Sequence, residues 1–159
     1  MYGRSYTFRA RITGITADRP VLQIQAPTNK TLYILRAYAG QETSETSLQT
    51  AFRLARKSAA ATVTAAVIGT DVVALDSNDS ASTVQVGTAA TGYNASTTGT
   101  TATGGTLHQE AWNQVGGGWL YLPLPEERIA VPAGTILALE PVETIGTNIF
   151  DCGITFLEI

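Results

Sequence analysis

A chain of 159 residues, 44% of them hydrophobic, is long enough to bury roughly 70% of its unfolded surface as one domain, with no metal or disulfide staple. Charged residues make up only 14%, against roughly 25% in typical soluble domains, so neutral Ser, Thr, Gly, Ala and Asn must form much of a surface suited to packing on other proteins. The net charge of −3 and singly scattered basic residues argue against nucleic acid as a partner. The absence of any run near 18 apolar residues, or of a secretory h-region after Met1-Tyr2-Gly3-Arg4-Ser5, argues against a membrane. The expectation is one domain over 1–159, soluble in the cytoplasm of the cell that makes it.

Period-2 patterning opens at once. Tyr6, Phe8, Ala10 and Ile12 alternate with Thr7, Arg9, Arg11 and Thr13, predicting a half-buried strand that ends at Ala17-Asp18-Arg19-Pro20. A second strand is predicted over Val21–Ala26, closed by the Pro27–Lys30 turn, and a third over Thr31–Ala39. In the third both alternating sets are apolar, which predicts a central strand covered on both faces. Gln41–Ser47 reads as a polar connection. Leu48, Thr50, Phe52 and Leu54 then alternate with Gln49, Ala51, Arg53 and Ala55, favouring a strand with one wet face over a helix. Ala59–Ile68 is predicted to continue as a strand, passing into a short helical or irregular piece near Asp71–Leu75.

From Gly87 to Thr106, eighteen of twenty residues are Gly, Ala, Ser or Thr, the exceptions being Tyr93 and Asn94. Such a stretch predicts an extended loop or arm within one sandwich, anchored by Tyr93 and ordered when laid against a neighbour. Strand signals resume over Leu107–Val115 and Trp119–Leu122, with Gly116-Gly117-Gly118 as the reversal of a hairpin or bulged pair. A proline corner at Pro123–Arg128, strands at Ile129–Val131 and Ile136–Leu139 about the Pro132–Thr135 turn, and a last strand over Ile149–Ile159 complete the pattern. Eight or more short strands without a helical stripe predict an all-β, antiparallel β-sandwich, jelly-roll-like, with one long Gly/Ala/Ser/Thr-rich loop.

Chemistry is sparse. The one histidine, His108, shares a strand face with Glu110, but a metal centre needs three or four converging ligands, so no metal or cofactor is expected. Glu126 and Glu127 are adjacent and point apart in an extended chain, which suits a charged corner better than paired acid–base catalysis. The triple glycine lacks the Lys-Ser/Thr of a phosphate loop, and no serine lies in a nucleophile elbow. The expectation is therefore not an enzyme. Trp112, Trp119 and Tyr121 suit a core and also a sugar-stacking platform. Cys152, among Phe150, Ile154 and Phe156, reads as a buried small hydrophobe. Charge is segregated along the chain: residues 1–57 hold nine of the ten basic residues and three acidic ones, whereas residues 58–159 hold Arg128 and ten acidic ones. Either the fold keeps these on separate faces, favouring head-to-tail association or an acidic partner, or interleaved strands mix them.

Three segments carry a resemblance: Met1-Tyr2-Gly3-Arg4-Ser5-Tyr6-Thr7-Phe8, Glu110-Ala111-Trp112-Asn113, and Gly118-Trp119-Leu120-Tyr121-Leu122-Pro123-Leu124-Pro125-Glu126-Glu127-Arg128. Together they resemble small β-rich virion proteins of tailed bacteriophages, over the first residues and roughly the last 50. The resemblance implies a decoration or cement protein on the outer capsid surface, with the major capsid protein as partner and a homo-oligomer, a trimer, as the working form. It implies no catalytic residues. Position and composition add Arg4, Arg9 and Arg11 as contacts toward the shell, and Tyr93 and Asn94 in the arm as contacts toward neighbouring subunits. A receptor- or carbohydrate-binding virion module is the alternative.

Overall fold

The computed structural model describes residues 3–43 and 49–159. Among them are twelve strands: β1 Arg4–Ile12, β2 Leu22–Gln25, β3 Leu32–Thr43, β4 Gln49–Ala59, β5 Thr64–Ala65, β6 Val72–Ala74, β7 Gly92–Tyr93, β8 Thr100–Asn113, β9 Gly118–Tyr121, β10 Ala130–Val131, β11 Ile136–Pro141 and β12 Ile149–Glu158. The front sheet has the order β10-β3-β12-β1-β6, with β9 also on β3, and the back sheet the order β5-β7-β2-β11-β4-β8. Every named strand pair is antiparallel. The runs β1-β12-β3-β9 and β2-β11-β4-β8 place the first long strand beside the last and the second beside the next to last. The two sheets pack as an antiparallel β-sandwich.

The core is the inward set of the alternating strands. Phe8, Leu22, Ile24, Phe52, Leu54, Leu137, Leu139, Phe150, Ile154 and Phe156 are all fully buried. The Phe52 ring lies 5.9 Å from Phe150, 6.3 Å from Trp112 and 6.4 Å from Trp119, so aromatic contact spans both sheets.

Several expectations are corrected. In β3 burial runs through Leu32 and Ile34, then through Ala37 and Ala39. The register against β12 jumps between Arg36↔Thr155 and Ile34↔Phe156, leaving Leu35 as the extra residue of a β-bulge. The bulge changes which parity faces inward, so apolar residues in both sets do not mean that both faces are covered: Tyr33, Leu35 and Tyr38 are half-buried and Arg36 is exposed. Of the connection expected over Gln41–Ser47, Gln41–Thr43 belong to β3 and the remainder, like Leu48, lies outside the described residues. Strand structure over Ala59–Ile68 is limited to Ala59, the end of β4, and Thr64–Ala65, and the Asp71–Leu75 piece contains β6 on the edge of the front sheet. No hairpin joins β8 to β9: β8 pairs with β4 and β9 with β3, so the glycines mark a crossing from back sheet to front.

The Gly/Ala/Ser/Thr-rich segment is packed on its own chain. Thr100–Thr106 lie in β8, and Gly92–Tyr93 pair with both β2 and β5. Gly92 is required here, because a Cβ would stand 2.3 Å from the Thr64 carbonyl oxygen and 2.4 Å from Val63 Cγ2. The wet face predicted for β4 is covered in part: Ala51 and Ala55 are buried and Arg53 half-buried, whereas Gln49 is exposed.

Candidate interaction surface

The outer faces of the two sheets differ. On the back sheet, Gln23, lying between inward Leu22 and Ile24, donates to the carbonyls of Ala90 at 2.7 Å and Ala61 at 3.4 Å and accepts from Ala61 N–H at 2.9 Å. Lys57 Nζ donates to the Thr98 carbonyl and Thr101 Oγ1, both at 3.1 Å. Loop segments flanking strands β5 and β7, which include Ala61, Ala90 and Thr98, thereby cap this sheet, with Ala61, Val63 and Ala95 as a small apolar cluster. Beneath the cap, fully buried Glu140 lies 2.6 Å from Lys57 Nζ and 2.8 Å from Arg53, which also reaches Asp18 at 2.9 Å.

The two charge classes are mixed by the fold. Basic residues of 1–57 meet acids of 58–159 in Arg4–Asp79 at 3.5 Å, Lys30–Glu158 at 2.6 Å and Lys57–Glu140. Of the two readings of the charge asymmetry, interleaving is the one found. Burial opposes ionisation of Glu158, but hydrogen bonds from Lys30, Thr83 and Ser82 outweigh it and hold the carboxyl below its usual range.

The outer face of the front sheet has no such cap. The register sets Leu120 beside Tyr38, Tyr38 beside Gly153 and Gly153 beside Arg9. Tyr38 occupies the space over Gly153, where a Cβ would meet its ring at 2.3 Å, and the Arg36 guanidinium stands 5.3 Å from the ring centre. At the β9 edge the period-2 pattern continues past the strand: Trp119 and Tyr121 point inward, while Leu120, Leu122 and Leu124 point out and remain 49%, 68% and 65% exposed. Val115, at the preceding crossing, is exposed as well. The Tyr121 hydroxyl fixes this ridge by donating to the Glu127 carbonyl at 2.9 Å and accepting from Ile129 N–H at 3.2 Å. Pro123 and Pro125 offer no N–H there, which discourages addition of a further strand.

Toward the opposite edge the same face holds a cleft of ≈ 700 Å³, lined by Arg9, Arg11, Tyr38, Asp71, Tyr93 and Asp151 among others. Three of the five predicted contact residues, Arg9, Arg11 and Tyr93, therefore come together. Arg11 is already paired two-pronged with Glu42 at 2.5 and 3.0 Å, whereas Arg9 has no ion pair among the described residues. Arg4 stands apart, bound to Ser80 and Asp79. Tyr93 belongs to β7 and packs partly against the core of its own chain. Asn94, exposed and in the left-handed region at φ 51°, does not line that cleft.

The chain matches no family model, no curated protein and no solved structure.

The aromatic trio is core. Trp112, Trp119 and Tyr121 are all buried, and His108 packs against Trp119 and Tyr121 with ring centres 5.5 and 5.0 Å away. His108 Nε2 is 3.8 Å from Glu110, and no group of three metal-ligating residues converges among the described residues. Cys152 is buried in the core, and burial, with Asp151 adding to it, pushes its thiol far above the usual range. No helix of the described residues is long and apolar enough to cross a membrane. The leucine ridge escaped the sequence reading although its signal was present: in Trp119-Leu120-Tyr121-Leu122-Pro123-Leu124 both alternating sets are apolar, so one of them faces outward.

Proposed function

We propose that this protein is a structural virion component that binds the outside of a phage capsid and stabilises the shell, as a decoration or cement protein does. The observation that carries the reading is the ridge of Leu120, Leu122 and Leu124 on an uncapped sheet edge. Adjacent large aliphatics held open to water in this way mark a protein-contact surface. The ridge lies inside the segment Gly118–Arg128 that carries the resemblance to phage virion proteins. The partner is the major capsid protein, and the working form is a homo-oligomer, a trimer on the resemblance. Many identical copies, each burying a modest apolar contact, would add up to a large gain in shell strength.

The test is co-sedimentation of the purified protein with expanded capsids that lack it, together with the heat resistance of the particles. Saturable many-copy binding and more heat-resistant shells are expected. Leu122→Asp combined with Leu124→Asp should abolish binding while changing the stability of the free protein by only about 0.5 kcal/mol, because both side chains are already solvated. Failure of the wild-type chain to bind shells, or unaltered binding by the double variant, overturns the reading. The alternative, a receptor- or carbohydrate-binding virion module, draws on a different feature, the cleft.

A further inference from the structure

We infer that the front-sheet cleft between β1, β3 and the 70–71 turn is a binding site for a neutral saccharide. Four observations lead there. The cleft, at ≈ 700 Å³, falls within the range of small-molecule sites, about 300–1,000 Å³. Its ionised lining is balanced, Arg9 and Arg11 against Asp71 and Asp151, so neither an anion nor a cation is singled out. Its hydrogen-bonding capacity is only partly used. Asp71 Oδ2 accepts from Val67 N–H at 2.8 Å, leaving Oδ1 free, and Arg11 is engaged with Glu42. The Arg9 guanidinium and the Asp151 carboxylate make no hydrogen bond to a described residue. Tyr38 and Tyr93 lie among these groups and supply apolar ring surface with a hydroxyl at the tip.

An uncharged ligand that satisfies fixed donors and fixed acceptors side by side must itself carry both on neighbouring atoms. Vicinal hydroxyls do so: each accepts from a guanidinium N–H and donates to a carboxylate oxygen. The C–H groups of a pyranose ring would rest against Tyr93 and the edge of the Tyr38 ring, whose faces are taken by Gly153 and Arg36. Gly153 contributes by its missing Cβ, since only a bare α-carbon lets Tyr38 lie down across β12 toward Arg9. This inference does not depend on whether the chain coats a capsid, because it uses none of the ridge leucines.

The test uses the full-length protein on an array of neutral and acidic glycans, followed by NMR titration of the 15N-labelled chain with the tightest-binding neutral oligosaccharide. Saturable binding of a neutral glycan is expected, with shift changes at the amides of Arg9, Asp71, Asp151 and Gly153. Asp151→Asn and Arg9→Ala, each retaining the wild-type amide spectrum elsewhere, should weaken binding at least about tenfold, the effect of losing one charge-assisted hydrogen bond. Binding of acidic glycans alone, shift changes that map outside the cleft, full affinity in both variants, or no glycan bound at all would each overturn it. In the last case a panel of short peptides on the same labelled sample reports whether the cleft takes peptide instead.

Discussion

Glu158 shows how one side chain can tie distant parts of this sandwich together. It sits at the end of β12, buried, and accepts from Lys30 Nζ at 2.6 Å, Ser82 Oγ at 2.8 Å and Thr83 N–H at 3.1 Å, joining the last strand to two loops. Its folded-state pKa is depressed, so its stabilisation is complete above the unfolded value of about 4.3 and is lost as pH falls through the lower folded value. Glu158→Gln should therefore cost about 1.5–3 kcal/mol at neutral pH, the range for hydrogen bonds to a charged group. The gap between wild type and variant in urea unfolding should shrink steadily below about pH 4.3. A gap of constant size down to pH 2 would mean that the carboxylate's charge contributes nothing. No sequence signal marks Glu158, because its partners lie 76 and 128 positions away. Burial of a lone acidic residue at the end of an apolar strand becomes intelligible only once those loops are placed.

At the level of strands, simple alternation is informative wherever pairing is regular. The inward set Tyr6, Phe8 and Ile12 is readable in the sequence because β1 pairs with β12 one-to-one along its whole length. The strand preference over helix for residues 48–55 holds for Gln49–Ala55, all in β4, and Leu48 lies outside the described residues. Alternation misleads where one residue is extra. Around the bulge the inward residues of β3 are spaced 32, 34, 37, 39, so removing Leu35 restores a uniform spacing of two without turning any core side chain outward. The prediction is that deletion of Leu35 leaves a folded protein that loses no more than about 1–3 kcal/mol, the cost of local repacking. Deletion of Arg9, more exposed to solvent than Leu35 but within a regular ladder, must invert the facing of half of β1. It should leave no cooperative thermal transition. Equal damage from the two deletions would show that the bulge is needed for the bend of the strand and is not a tolerated extra residue. The same limit explains the misread crossings, since a glycine turn looks alike in sequence whether its flanking strands share a sheet or change sheets.

Considered as a whole, the molecule is a sandwich with one sheet capped by its own chain and one left open. That asymmetry was not readable from composition, because a Gly/Ala/Ser/Thr stretch offers no large apolar residue to show what it covers. What holds the cap is polar and close-packed: the Gln23 amide gripping Ala61 and Ala90, Lys57 gripping Thr98, and a Gly92 approach that no other residue fits. Backbone bonds complete it, from Val63 N–H to the Thr88 carbonyl at 2.8 Å, Ala66 to Thr91 at 3.1 Å, Ala95 to Pro20 at 3.0 Å and Ser96 to Thr62 at 2.8 Å. Residues 87–99 should thus behave as part of the folded body, and amide hydrogen exchange distinguishes this from a free arm, which exchanges at once. In the wild type the amides of Val63, Ala66, Ala95 and Ser96 should be protected. Gln23→Ala removes the side chain that bonds both cap segments and leaves their carbonyls without that donor. It should cost about 1–3 kcal/mol and release protection at those four amides first, while those of β1 and β12 stay protected. If the four amides already exchange at once in the wild type, the cap is open in solution and the segment is free to lie against a neighbouring copy. If Gln23→Ala instead loosens both sheets together, cap and core unfold as one unit, and the segment is not a separable arm.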